Sequence, residues 1–210
     1  MKTILIETMN QEDKKQFEKR IKISLGILNL RLQNINKNIE NENSYIQDYL
    51  LSKIDEDVYL ESYIQSEFEN IIAQEKARNY HNIIIDSYSF YETSLKNLCE
   101  LKSLPTNRCP NGCSIPQHLL NQLNIQTNNI PETNKVDVFR LLRNNIIHND
   151  SKCKNVNDKN RVIIGVGNYT QDHSIHIYFS NLKFRIIKKD LIQFYIDDIY
   201  TITSYIINTF

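Results

Sequence analysis

The sequence predicts a mainly α-helical fold: one helical bundle of 210 residues with a small β-hairpin before its last helix. Three observations point there. The chain holds only four Gly and four Pro, too few for the many turns of a β-sandwich or barrel. Apolar residues recur at steps of three and four through most of its length, the spacing of a helical stripe. Strict alternation, the period of a strand, occurs only after Asn149.

The elements follow in order. Phe17, Ile21, Leu25, Leu28, Leu32, Ile35 and Ile39 form one stripe and predict a first helix over residues 11–40. Residues 41–75 carry nine acidic side chains against Lys53 alone, which reads as a solvated acidic helical insertion broken near Ser52 to Asp57. Ile84, Tyr88, Tyr91, Leu95 and Leu98, broadened by Ile83 and Ile85, predict a central buried helix over residues 76–102. Pro105, Pro110, Gly112 and Pro116 then mark a connection before a short helix around residues 117–123.

Pro131, Glu132, Thr133 and Asn134 lead into a helix over residues 135–148. Val162, Ile164 and Val166 alternate, and Ile175, Ile177 and Phe179 answer them. This predicts a hairpin within residues 161–187, turning through Asn168 to Ser174, with Leu182 to Ile187 as a third short strand. Leu191, Tyr195, Ile199, Ile202 and Ile206 close the chain as a last amphipathic helix over residues 189–208.

Composition bounds the function. Apolar residues make up 40% and charged residues 24%, which places the chain among globular proteins and away from disordered ones. Twenty-five Lys and Arg balance twenty-five Asp and Glu, so no overall field favours a polyanion or a membrane surface, and a nucleic-acid site must come from local patterning. No apolar run is long enough to span a membrane, and the run in MKTILIETMNQEDKK is too short for a secretory signal; a cytoplasmic protein is expected. Cys99, Cys109, Cys113 and Cys153 are too sparse for a disulfide scaffold.

The informative segment is Leu141 to Asp150, LLRNNIIHND, which sets Arg143, Asn144 and His148 at the polar end of an otherwise apolar helix. Arg offers a permanent charged fork for a phosphate or its pentacovalent transition state, and His carries a proton near neutral pH. On a straight helix Arg143 and His148 stand about 140° apart, whereas Asn144 and His148 are one turn apart on the same side. Either a helix end at His148 or a second copy of the chain must therefore bring Arg and His together. A helix C-terminus favours a protonated imidazole and neighbouring cations oppose it.

Arg143-Asn144, three residues, His148 and then Asn149-Asp150 resemble the R-x4-6-H motif of the HEPN superfamily, the higher eukaryotes and prokaryotes nucleotide-binding domains. The helix DSYSFYETSLKNLCEL, with Glu92 at its middle, is similar to the helix those proteins place opposite the motif helix. The likeness covers roughly residues 77–210, with 11–40 fitting as the first helix; the acidic stretch and the hairpin are less typical of the family. It implies a bundle that dimerises so that two motif helices form a composite, metal-independent endoribonuclease site. It further implies His148 as general acid/base, Arg143 as phosphate stabiliser, Asn144 as the polar residue beside it, and Glu92 as a support for Arg143. No cofactor and no metal is expected.

RNA is the implied substrate. Between Lys135 and Arg161 seven basic residues face three acidic ones, and Arg140, Lys152 and Lys154 are the expected RNA contacts beside the motif. A toxin or antiphage defence effector is the expected role. The alternative is a noncatalytic HEPN interaction or nucleotide-sensing module that scaffolds a partner protein. The acidic stretch would suit a basic partner such as an antitoxin, but is better read as a solubilising surface.

Weaker signals have plainer readings. Cys109-Pro-Asn-Gly-Cys113 resembles half a zinc knuckle that Cys99, His118 or Cys153 would complete, yet no second close pair follows, and reduced loop cysteines are expected. His173 and His176 are expected on the hairpin surface, His176 on the side of Tyr178. Tyr80, Tyr88 and Tyr91 are expected in the core, and His81 in a structural role.

Overall fold

The computed structural model describes residues 10–52, 58–106, 113–170, 174 and 176–209. Two long helices open the fold, α1 (Gln11–Leu51) and α2 (Val58–Leu101). No Gly or Pro interrupts the chain between Gly26 and Pro105, so nothing in the backbone ends either helix early. The acidic stretch, where it is described, is helical: it runs along the distal part of α1 and the beginning of α2. The break expected near Ser52 to Asp57 falls mostly on residues 53–57, outside the described residues.

The predicted stripe of α1 is buried from Phe17 to Ile39, and Tyr80, Ile84, Tyr88, Tyr91, Leu95 and Leu98 of α2 are buried against it and the later helices. Arg31 of α1 pairs with Asp86 of α2 across the exposed side of this contact. A short helix α3 (Ile115–Gln122) follows. Its Ser114 cap accepts a hydrogen bond from the Gln117 N–H, and Pro116 lies in the first turn, where its missing N–H costs nothing. One turn of helix, α4 (Glu132–Lys135), leads into α5 (Asp137–Asn149), the helix of the Arg-Asn-His motif.

Residues 156–167 correct the predicted first strand: they form a helix, α6 (Val156–Gly167). Val162 and Val166, four apart, are buried on one face while Ile164 is 66% exposed, so the apparent alternation is a helical stripe of two residues. Asn155 caps this helix, its Oδ1 accepting from the Asp158 N–H at 2.9 Å. An N-terminal signal was thus present in the sequence beside the misleading alternation. Gly165 lets α6 approach α5 closely, because a Cβ there would lie 2.5 Å from Val138 Cβ.

The hairpin is correspondingly shorter and later, β1 (Ile177–Ser180) paired antiparallel with β2 (Lys183–Ile186) in the register Ile177↔Ile186, Tyr178↔Arg185, Phe179↔Phe184 and Ser180↔Lys183. Its turn contains Asn181, whose φ of 55° suits an Asn. Ile177, Phe184 and Ile186 are buried on the inner face with Phe179 packed beside them, leaving Tyr178, Ser180, Lys183 and Arg185 on the outer face.

The last helix, α7 (Asp190–Thr209), inserts Leu191, Tyr195, Ile199, Ile202 and Ile206 into the bundle, all fully buried. It contacts α1 and α2 and fastens α5 through Tyr195, which stacks on Phe139 with ring centroids 3.8 Å apart. The protein is mainly α-helical with one small hairpin before its last helix, and no helix among the described residues is long and apolar enough to cross a membrane.

Candidate functional site

Helix α5 presents two faces because its sequence has two. Val138, Phe139, Leu142 and Asn145 are buried, Arg143 and Asn144 are half-buried at the edge, and His148 is exposed in the last turn. Burial of Phe139 and Leu142 against α2 and α7 sets the rotation of the helix, and that rotation fixes where the polar residues stand.

Arg143 lies between two elements. Its Nη1 donates to Asn144 Oδ1 at 3.0 Å, and its guanidinium lies 5.9 Å from the centre of the Tyr88 ring on α2. Among the described residues no carboxylate comes within ion-pair distance of it. Its Nε–H is enclosed and has no partner, a loss of about 1–3 kcal/mol for a buried donor. A guanidinium held by a neutral amide and an aromatic face keeps its charge unneutralised, and it gains by turning toward an acceptor.

Glu92, one turn from Tyr88 on α2, is half-buried. Burial raises its carboxyl above the ordinary range, and the positive charge of Arg143 works against that rise. The two residues interact through space without a direct ion pair. Tyr88 itself was visible in the sequence only as a core residue; its i,i+4 relation to Glu92 was the available signal that both approach Arg143.

The expected RNA contacts separate. Arg140 is half-buried and committed to Asp137, Nε to Oδ1 at 2.7 Å and Nη2 to Oδ2 at 3.2 Å, and it is therefore neutralised. Lys152 and Lys154 are exposed. Lys152 is bridged to Lys183 at the edge of the hairpin, so the segment after the motif helix extends the sheet by one position.

That segment is tightly built. Asp150 and Ser151 both have positive φ, 48° and 60°, and their N–H groups return to the Asn145 carbonyl, closing the end of α5. Cys153 N–H donates to Leu182 O and Phe184 N–H to Ser151 O, each at 2.9 Å. Beneath them His81 of α2, 9% exposed, sits 3.1 Å from Ser151 Oγ through Nδ1 and edge-on to Phe184. Its Nε2 has no partner. Lys183 donates to Asp150 at 2.7 Å on the exposed side.

Burial lowers the His81 pKa to about 4, with Asp150 raising it and Lys183 lowering it. The fold therefore accepts neutral His81. The stability it contributes is complete above the unfolded value of 6.5 and is lost as pH falls through 4, on the order of 3 kcal/mol in all. About 2 kcal/mol of this falls between pH 7 and pH 5. Urea unfolding at these two pH values checks it: His81→Asn, which keeps a partner for Ser151, is expected to flatten the drop, and an unchanged drop would refute the assignment.

Cys99 and Cys153 are buried, with Cys99 Sγ 3.7 Å from Leu119 O, and Cys109 lies outside the described residues. Among the described residues no group of three or more His, Cys, Asp or Glu is placed to hold a metal. His173 is likewise outside them. Tyr88 also lines a cavity of about 250 Å³ with Tyr91, Ser114, Gln117, Thr133 and Asp137.

Helix α5 thus carries a half-buried Arg143 without a carboxylate partner among the described residues and an exposed His148 in its last turn, the residue types that phosphate chemistry uses. Comparison with family models, curated proteins and solved structures returned no match for the chain.

Proposed function

We propose that this protein is a metal-independent endoribonuclease of HEPN type, acting as a cytoplasmic homodimer on RNA. The observation that carries the reading is Arg143: a half-buried guanidinium with no carboxylate in ion-pair distance among the described residues, five residues before an exposed His148 on the same helix. Arg140, three residues earlier, is neutralised by Asp137, so the absence of such a partner at Arg143 is a local choice of the sequence. The resemblance of Arg143, Asn144 and His148 to the HEPN motif supports the same assignment.

The chemistry needs three things: a base on the ribose 2′-hydroxyl, an acid on the leaving 5′-oxygen, and charge stabilisation of the phosphorane. Each chain offers from the motif one His and one Arg that has no carboxylate partner among the described residues. Two chains meeting along α5 offer two of each, so one His takes the proton of the 2′-hydroxyl while the other gives one to the departing oxygen. Attack by O2′ on phosphorus breaks the P–O5′ bond and leaves a 2′,3′-cyclic phosphate and a 5′-hydroxyl. Asn144, by holding Arg143 Nη1, limits the directions in which the guanidinium turns. A ribonuclease of this kind suits a toxin or antiphage defence effector held by an antitoxin or defence-system partner.

A second reading has its own support. The cavity beside Tyr88 has the Tyr91 hydroxyl buried and without a partner, and Tyr88 carries Arg143 on its ring, so a small ligand there would reach the motif through one side chain. That arrangement suits a noncatalytic sensing module. RNA cleavage and growth arrest on induced expression, compared among wild type, Arg143→Ala and His148→Ala, separate the two. Loss in both variants is the ribonuclease result, and equal behaviour of all three is the scaffold result.

A further inference from the structure

The outer face of the hairpin was not part of the expected RNA path. Register places Tyr178 beside Arg185 and Ser180 beside Lys183 on that face, and the bridge Lys152↔Lys183 adds Lys152 to the same row. Tyr178 is 54% exposed, and Lys152 and Lys183 are exposed. The inner face is spoken for: Phe184 and Ile186 are in the core, and Lys159 of α6 lies over Phe179 at 5.0 Å.

The hairpin strands and the segment after α5 are rich in cations. From His176 to Lys189 the chain has Lys183, Arg185, Lys188 and Lys189 and no acidic residue, and Lys152 and Lys154 join them against Asp150. Asp150 is taken by Lys183. Arg185 has a neutral contact, its Nη1 3.4 Å from Asn70 Oδ1, and Lys152 has no ion pair among the described residues. Along the chain these two segments carry six basic residues against Asp150, and Tyr178 is the exposed aromatic ring between them, with Glu67 and Glu69 of α2 beside the Asn70 that Arg185 reaches.

We infer that the outer face of the hairpin is a single-stranded RNA track, with a base stacked on Tyr178 and the backbone phosphates running over Arg185 and Lys152 toward the end of α5. This rests on the ribonuclease reading for its choice of RNA. Phosphates spaced along a strand match a row of cations, and a base offers a π-face to a half-exposed Tyr. The Lys152 bridge joins the track to the motif helix four residues after His148, which would hand a bound strand to the site.

The test is fluorescence anisotropy of a labelled, 2′-O-methylated single-stranded RNA, which cannot be cleaved by O2′ attack, titrated with full-length protein over a range of salt. Tyr178→Ala is expected to weaken binding roughly tenfold with the salt slope unchanged, and Tyr178→Phe to bind as wild type. Arg185→Gln and Lys152→Gln are each expected to weaken binding and to reduce the salt slope by roughly 0.7. Tyr45→Ala, which removes an exposed ring on α1, is the control expected to change nothing.

Wild-type affinity in both Tyr178→Ala and Arg185→Gln overturns the track. So does failure of the wild type to bind, or displacement of the RNA by polyglutamate as readily as by unlabelled RNA. If binding follows the predicted pattern but the unmodified RNA is never cut, the ribonuclease reading fails and the track stands. If RNA is cut but the hairpin variants bind normally, the track fails alone.

Discussion

His148→Ala is expected to lower RNA cleavage by roughly 10²- to 10⁴-fold, the range for removing a general acid or base. The exposure of His148 makes this a clean experiment. The side chain packs against nothing that the bundle needs, and the end of α5 is closed by Asp150 and Ser151 instead. Circular dichroism and the urea midpoint should therefore stay at wild-type values. Arg143→Ala is expected to cost roughly 10²- to 10³-fold, as for a lost charge stabiliser of an oxyanion. Arg143→Lys tests the fork: a point charge of one ammonium should recover only part of the rate. Rates within threefold of wild type in both alanine variants would take Arg143 and His148 out of the chemistry.

Phe139→Ala carries the largest expected effect on stability, about 3–5 kcal/mol for an aromatic side chain removed from a packed core. Phe139 is fully buried, stacked on Tyr195 and edge-on to Tyr169 at 5.4 Å, so it ties α5 to α7 and to the segment after α6 at once. A single substitution empties the point where three elements meet. In a domain of this size the change corresponds to a fall in Tm on the order of 10 °C. Phe139→Leu keeps much of the volume and should cost less, losing mainly the ring contacts. Calorimetry of the two variants checks the order; equal midpoints for Phe139→Ala and wild type would contradict the packing described.

Periodicity made the helices legible. The stripe that three-and-four spacing marks on α1 is buried, and so are the five residues it marks on α7, where Ile192, Ile196, Thr203 and Ile207 widen the buried face because that helix packs against several others. Helix α6 was not legible for the same reason reversed. With only Val162 and Val166 buried, its stripe is too short to establish a period, and Val-Ile-Ile-Gly-Val reads equally as alternation. Alternation in this segment therefore points to a hairpin that begins earlier than β1, while Ile177 and Phe179, which alternation also marks, do lie in the strand.

At the site, residue types were legible and partnerships were not. Arg140 and Arg143 look alike in sequence, yet Asp137 neutralises the first and leaves the second free, a distinction set by which carboxylate lies three residues away and which way each side chain leaves the helix. Tyr88 beneath Arg143 and His81 beneath Ser151 come from α2, more than fifty residues from the motif, and only packing brings them there. The cations of the hairpin were outside the expected path because they adjoin the motif through the Lys152↔Lys183 bridge and not along the chain.

The nature of the cut ends tests the proposed mechanism most directly. Wild-type protein incubated with single-stranded RNA in excess chelator should yield fragments ending in 2′,3′-cyclic phosphate, or in the 3′-phosphate formed when water opens it, and beginning with 5′-hydroxyl, since O2′ attack assisted by His148 and Arg143 breaks the P–O5′ bond. Fragments with 3′-hydroxyl and 5′-phosphate ends, or cleavage that appears only when a divalent metal is added, would contradict it.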